Sequence, residues 1–126
     1  MLFIAGYFAY IRGWIFIDFE SITPREIHSL LEKHDDNITI LDVRSVLEFD
    51  REHIKDAKVI PLNILSNSLK KLNHLKNKKI IVYCHSGSRS IQASRILKAE
   101  GFTPINMKGG LIDYKKEGFA LIKAIK

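Results

Sequence analysis

Hydrophobic positions along the chain fall into short blocks whose spacing alternates between a helical and an extended period. Thr23-Pro24-Arg25-Glu26 opens the first helical block, with Thr23 as N-cap, Pro24 at the first helical position and Glu26 as capping-box partner. Ile27, Leu30 and Leu31, at i, i+3 and i+4, give one apolar face up to about Lys33, and Asp35-Asp36-Asn37 ends the pattern. Residues 38–43 are a β-branched run of the kind buried on both faces of a sheet. A helical turn over residues 46–52 and a short strand over 58–62, stopped by Pro61, follow. A weaker helix over 64–75 carries Leu65, Leu69 and Leu72, and the strand 80–83 then runs directly into Cys84. Ile91, Ala93, Ile96 and Leu97 mark a helix over 90–99, with Gly101 placed to terminate it. A last strand over 104–107 and, after Gly109-Gly110, a closing helix over 111–116 complete the pattern. Strands alternating with helices predict an α/β domain with a mainly parallel sheet and right-handed crossovers. Sites in such sheets lie beyond the carboxyl ends of the strands, and Cys84 stands at one.

Composition changes sharply near Asp18, which divides the chain into an apolar segment, residues 1–19, and a globular domain, residues 20–126. The segment is apolar except for Arg12 and Asp18. A secretory signal fits poorly, because no positive charge precedes the apolar run and no small-x-small cleavage site follows it. Two readings remain. In one, residues 1–17 enter a membrane as an anchor, approaching the ~20 residues a span needs, although Arg12 costs about 2.5–3.5 kcal/mol in mid-bilayer. Positive-inside bias then leaves the domain in the cytoplasm, tethered to the inner face. In the other, residues 1–11 form a helix resting on the domain or on a partner, and residues 14–19 form the first strand.

The net charge of +6 suits anionic substrates or an acidic partner. The lysines cluster at residues 70–79 and 115–126 without interleaved aromatics, so they read as solvated faces and nucleic-acid binding is not expected. The single cysteine cannot form an internal disulfide, which fits a reducing compartment. The five histidines show no metal-ligand spacing, so no metal is expected.

That cysteine opens the loop Cys84-His85-Ser86-Gly87-Ser88-Arg89-Ser90. Thiols react as thiolates, and a helix N-terminus and nearby cations favour the thiolate. The amides of residues 86–90 are expected to curl over the sulfur as an anion-binding nest, Gly87 permitting the bend. Arg89 is expected to face an anionic substrate or to close the ring, and Ser86, Ser88 and Ser90 to add hydroxyl donors. Four residues separate Cys84 from Arg89, one fewer than in protein tyrosine phosphatases. A tighter ring suits one sulfur atom better than a tetrahedral phosphoryl group, leaving phosphatase activity as an alternative.

The motifs resemble those of rhodanese-like sulfurtransferases. They are Ile22-Thr23-Pro24, Leu41-Asp42-Val43-Arg44 with Glu48-Phe49, His53-Ile54 before Ala57, Ile60-Pro61-Leu62, the Cys84 loop, and Lys108-Gly109-Gly110 ahead of Tyr114. The resemblance covers residues 22–121 and implies a three-layer α/β/α fold around a five-stranded parallel sheet. It also implies that Cys84 takes a sulfane sulfur from a small anionic donor such as thiosulfate and passes it as a persulfide to a thiol, a protein acceptor or cyanide. No cofactor is required. Two residues depart from the family pattern. His85 stands where many members carry arginine, which lowers the charge at the mouth and predicts thiosulfate to be a poor donor, and Tyr114 replaces a common tryptophan as a packing residue. Asp42 and Arg44 are read as a mutual pair bracing the loop, and Glu48 and His53 as scaffold contacts. A rhodanese-like module that only binds a partner is the second alternative; the retained cysteine, glycine and arginine argue against it.

Overall fold

The computed structural model describes residues 19–124, so the anchor or helix expected within residues 1–17 and all but the last residue of the strand expected over 14–19 lie outside the described residues. The first described strand, β1 (Glu20–Ile22), leads into α1 (Pro24–Glu32), whose capping box forms as expected: the Glu26 amide donates to Thr23 Oγ1 at 3.2 Å and the Thr23 amide to Glu26 Oε1 at 3.2 Å. Next come β2 (Ile38–Asp42), α2 (Val46–Arg51), β3 (Glu52–His53) and β4 (Lys58–Val59). Helix α3 (Leu62–Ser68) continues as a 3-10 helix over Leu69–Leu75. The chain then runs through β5 (Lys79–Tyr83), α4 (Ser88–Ala99), β6 (Thr103–Met107), α5 (Gly110–Lys116) and β7 (Ile122–Lys123).

Five strands form one parallel sheet in the order β1-β6-β5-β2-β4. The central strand β5 shows why its sequence is apolar throughout. Side chains alternate across a strand, so Ile80 and Val82 join one core with Leu65, Leu72, Ala93 and Leu97, while Ile81 and Tyr83 join the other with Ile27, Ile105, Leu111 and Tyr114. Helices α3 and α4 with the 3-10 segment thus cover one face, and α1 and α5 the other, giving the three-layer α/β/α domain. Tyr114 packs tilted against Phe119 with ring centroids 5.1 Å apart, in keeping with a packing role.

Three local differences from the sequence reading have physical causes. The helix expected over 64–75 starts earlier and tightens to 3-10 after Ser68, where Leu69, Leu72 and Leu75 recur at every third residue, the period that aligns side chains in a 3-10 helix. The strand expected over 58–62 is regular only over Lys58–Val59, although the Ile60 amide still reaches Asp42 O at 3.0 Å. A small antiparallel pair, Glu52 opposite Lys123 and His53 opposite Ile122, was not legible, since two-residue strands have no periodicity to read.

Candidate active site

The Cys84 loop leaves the carboxyl end of β5 and enters α4 within four residues. Gly87, at φ 111°, makes the turn into the helix. This bend aims two backbone donors at the sulfur: the Gly87 amide lies 3.0 Å from Cys84 Sγ and the Ser90 amide 3.4 Å. The thiol in turn donates to Ser90 Oγ at 3.6 Å, and that hydroxyl donates to Gly87 O at 3.0 Å, closing a small ring. The nest is therefore built from Gly87 and Ser90, a narrower set than the whole run 86–90. His85, Ser86 and Ser88 are exposed on the outer face of the loop, and Cys84 is fully buried on its inner face.

A second helix holds the loop from behind. At the start of α5 the Leu111 amide donates to Cys84 O at 2.8 Å and the Ile112 amide to His85 O at 3.1 Å. These two carbonyls take up helix donors that have no partner within α5 itself. With the carbonyls turned toward α5, the following amides turn toward the sulfur. The contact is close enough to require glycine: a Cβ on Gly110, at φ 61°, would stand 2.5 Å from His85 O and 2.7 Å from Cys84 O.

Arg89 does not close the ring. Its Nη1 and Nη2 donate to Glu48 Oε1 and Oε2 at 2.7 and 2.9 Å, a bidentate pair with α2. Glu48 also caps α2, accepting from the Ser45 amide at 3.1 Å. The Arg89 guanidinium first, against some burial, holds the Glu48 carboxyl down at about 2. Glu48 in turn holds Arg89 above its ordinary range, with smaller contributions from Cys84 and Asp42.

Asp42 and Arg44 form the expected pair, fully buried, with Nε and Nη2 of Arg44 at 3.0 and 2.7 Å from Asp42 Oδ2. Arg44 Nη2 also donates to the Glu52 carbonyl at 2.6 Å. Burial works against the Arg44 charge, and the Asp42 carboxylate outweighs it, so the guanidinium stays above its ordinary range. Tyr83, next to Cys84, accepts the Ile54 amide on its hydroxyl at 3.1 Å; burial and then the Asp42 charge push that phenol far up. The pair braces the ends of β2 and β5 and does not touch the sulfur. His53 is likewise scaffold, its Nδ1 2.8 Å from Phe49 O and its ring stacked on Phe49 at 3.8 Å.

A family model described as the rhodanese-like domain matches residues 23–117. The chain belongs to the rhodanese-like domain family. A sulfurtransferase of Allochromatium vinosum is 28% identical over 107 residues, covering 84% of this chain and 92% of that protein. The putative sulfur carrier protein YrkF of Bacillus subtilis is 38% identical over 81 residues, covering 64% of this chain and 43% of its own length. The crystal structure of a rhodanese-like domain protein from Staphylococcus aureus superposes with a TM-score of 0.73 at 30% identity, over 85% of this chain and 100% of that one. The chain spans 32–56% of the length of three of the curated relatives it matches, YrkF among them.

Of the loop amides expected around the sulfur, the structure brings those of Gly87 and Ser90 to it, and sequence reasoning missed the partner of Arg89. The capping signature Ser45-x-x-Glu48 was readable, but a pairing across 41 residues leaves no local signal. Gly110 was part of a motif without a stated role, and its close approach to the loop of this rhodanese-like domain supplies one.

Proposed function

We propose that this protein is a sulfurtransferase that carries a sulfane sulfur on Cys84. The observation that carries the reading is the pair of amides, from Gly87 and Ser90, aimed at Sγ at the junction of a parallel strand and a helix. Such donors solvate a sulfur anion without water, and they serve equally the terminal sulfur of a persulfide. In the first step the Cys84 thiolate attacks the outer sulfur of the donor. The new S–S bond forms as the donor's bond to that sulfur breaks; the electron pair leaves on sulfite when the donor is thiosulfate, or on a thiolate when it is a persulfide. In the second step a thiol or cyanide attacks the outer sulfur of the Cys84 persulfide and the Cys84 thiolate leaves. The family relationship to sulfurtransferases and sulfur carriers supports this reading. A lone cysteine suits a compartment that keeps thiols reduced, so the proposed setting is the cytoplasm.

A protein thiol is the acceptor favoured by the surface. Val46 and Leu47 in the first turn of α2, Ile64 in α3 and Ile112 in α5 are exposed, and all four follow the carboxyl ends of sheet strands, the end that carries the Cys84 loop. A cavity of about 620 Å³ is lined by the first of them, Val46, with Val43, Leu62, Ile96 and Arg89. The test is intact-mass spectrometry after incubation with thiosulfate and, separately, with a persulfide donor. One added sulfur is expected on the protein, absent in Cys84→Ser. No adduct with either donor would overturn the reading.

A further inference from the structure

Glu48 lies outside the Cys84 loop, yet it controls the cation that ends it. Its carboxylate meets the Arg89 fork end-on through both oxygens, at 2.7 and 2.9 Å, and both side chains are about one-third exposed. Arg89 is near enough to Cys84 to feel the charge on the sulfur. The other guanidinium beside the cavity, Arg44, is committed to Asp42 side-on through Nε and Nη2. Both guanidiniums that line this cavity thus have their charges already cancelled. Thiosulfate is a dianion and releases sulfite, also a dianion; it needs net positive charge at the thiolate both to bind and to leave. A persulfide of a thiol carries its sulfur with no such requirement.

We propose that Glu48 is a specificity-determining residue: by neutralising Arg89 it biases the Cys84 site against dianionic sulfur donors and toward persulfides. The proposal rests on the sulfurtransferase reading above, and the donor ratio separates the two. Steady-state transfer to cyanide is measured with thiosulfate and with freshly prepared cysteine persulfide, in the wild type and in Glu48→Gln, which retains an acceptor for the α2 cap. The ratio of kcat/KM for thiosulfate to that for persulfide is expected to rise about fivefold in Glu48→Gln, the effect of one partly exposed charge on a neighbouring anion. The gain should appear in the KM for thiosulfate and shrink at high salt, as a charge effect does. Glu48→Asp, which keeps the charge, should hold the wild-type ratio. Ser45→Ala weakens the cap with the carboxylate intact; a ratio that rises there as much as in Glu48→Gln overturns the proposal. So does a ratio unchanged in Glu48→Gln. Absence of transfer from both donors in the wild type instead defeats the sulfurtransferase reading.

Discussion

Replacing Gly110 with alanine tests whether α5 positions the Cys84 loop. Two costs add at this position. A left-handed conformation costs a non-glycine residue about 1–2 kcal/mol, and Gly110 sits at φ 61°. The new methyl also meets backbone: His85 O at 2.5 Å, His85 C at 2.6 Å and Cys84 O at 2.7 Å. No flexible side chain can swing away, so either α5 or the loop must move, and overpacking of this kind costs about 1–3 kcal/mol. The sum is about 2–5 kcal/mol, a large fraction of the stability of a domain this size. Gly101→Ala is the matched control, because Gly101 has φ 90° but nothing within 4 Å of its Cβ position. It should therefore lose only the conformational part, about 1–2 kcal/mol. Urea unfolding followed by circular dichroism gives both values, and the rate of the Cys84 adduct, measured where both variants are folded, reports on the loop. Gly110→Ala should be the less stable by at least about 1 kcal/mol and slower in adduct formation. Equal stabilities, or a normal adduct rate in Gly110→Ala, would refute the claim that α5 holds the loop.

Three other outcomes follow from the same coordinates. Asp42→Asn leaves the Arg44 charge buried without a counterion and should destabilise the domain by about 3–5 kcal/mol in denaturant titrations; a loss below about 1 kcal/mol would show the pair to be dispensable. The Glu48 carboxyl is held at about 2 instead of 4.5, so its contribution is complete above pH 4.5 and fades as pH falls toward 2. Being partly exposed, the pair contributes at most about 1 kcal/mol, so Glu48→Gln should be slightly less stable at neutral pH and match the wild type near the acid end, as unfolding midpoints across pH will show. Tyr83→Phe leaves the Ile54 amide without its hydroxyl acceptor and should cost about 1–3 kcal/mol; thermal unfolding with no change in midpoint would contradict this.

How much of this was legible in the sequence follows the range of the forces involved. Elements with a strong period or a local cap were readable: α1 from its Thr23 and Glu26 box, β2 and β5 from β-branched runs, and α4 from its apolar spacing and the closing Gly101. Gly101 ends α4 with a paired bond pattern, its own amide to Lys98 O and the Phe102 amide to Leu97 O, all within six residues. The nest was readable for the same reason, since Gly87 and Ser90 lie within six residues of Cys84. What was not readable depends on distant partners. Arg89 looked free to serve the substrate because its partner arrives from α2, and the burial of Cys84 left no local signal because the core side chains of the neighbouring strands are remote in the chain.

The burial of Cys84 alters the meaning of the loop. A thiol on the inner face of the turn, packed beside Val43, Val82 and Ala93, is screened from water and from bulky electrophiles. Its two amide contacts come from backbone that α5 holds through the Cys84 and His85 carbonyls. In the proposed transfer, preorganised dipoles of this kind need no reorientation as charge moves from Cys84 Sγ to an outer sulfur and back. The outer surface of the loop is polar and exposed at His85, Ser86 and Ser88, and the apolar residues Val46, Leu47, Ile64 and Ile112 lie on elements at the same end of the sheet. In the proposed transfer, a small donor or a protruding cysteine meets a buried sulfur with few waters present. An ordinary hydrolytic site requires the reverse, a place for water beside the nucleophile. Burial and backbone geometry at this sheet end therefore support the proposed transfer between sulfur atoms over hydrolysis, with the loop arginine paired to Glu48.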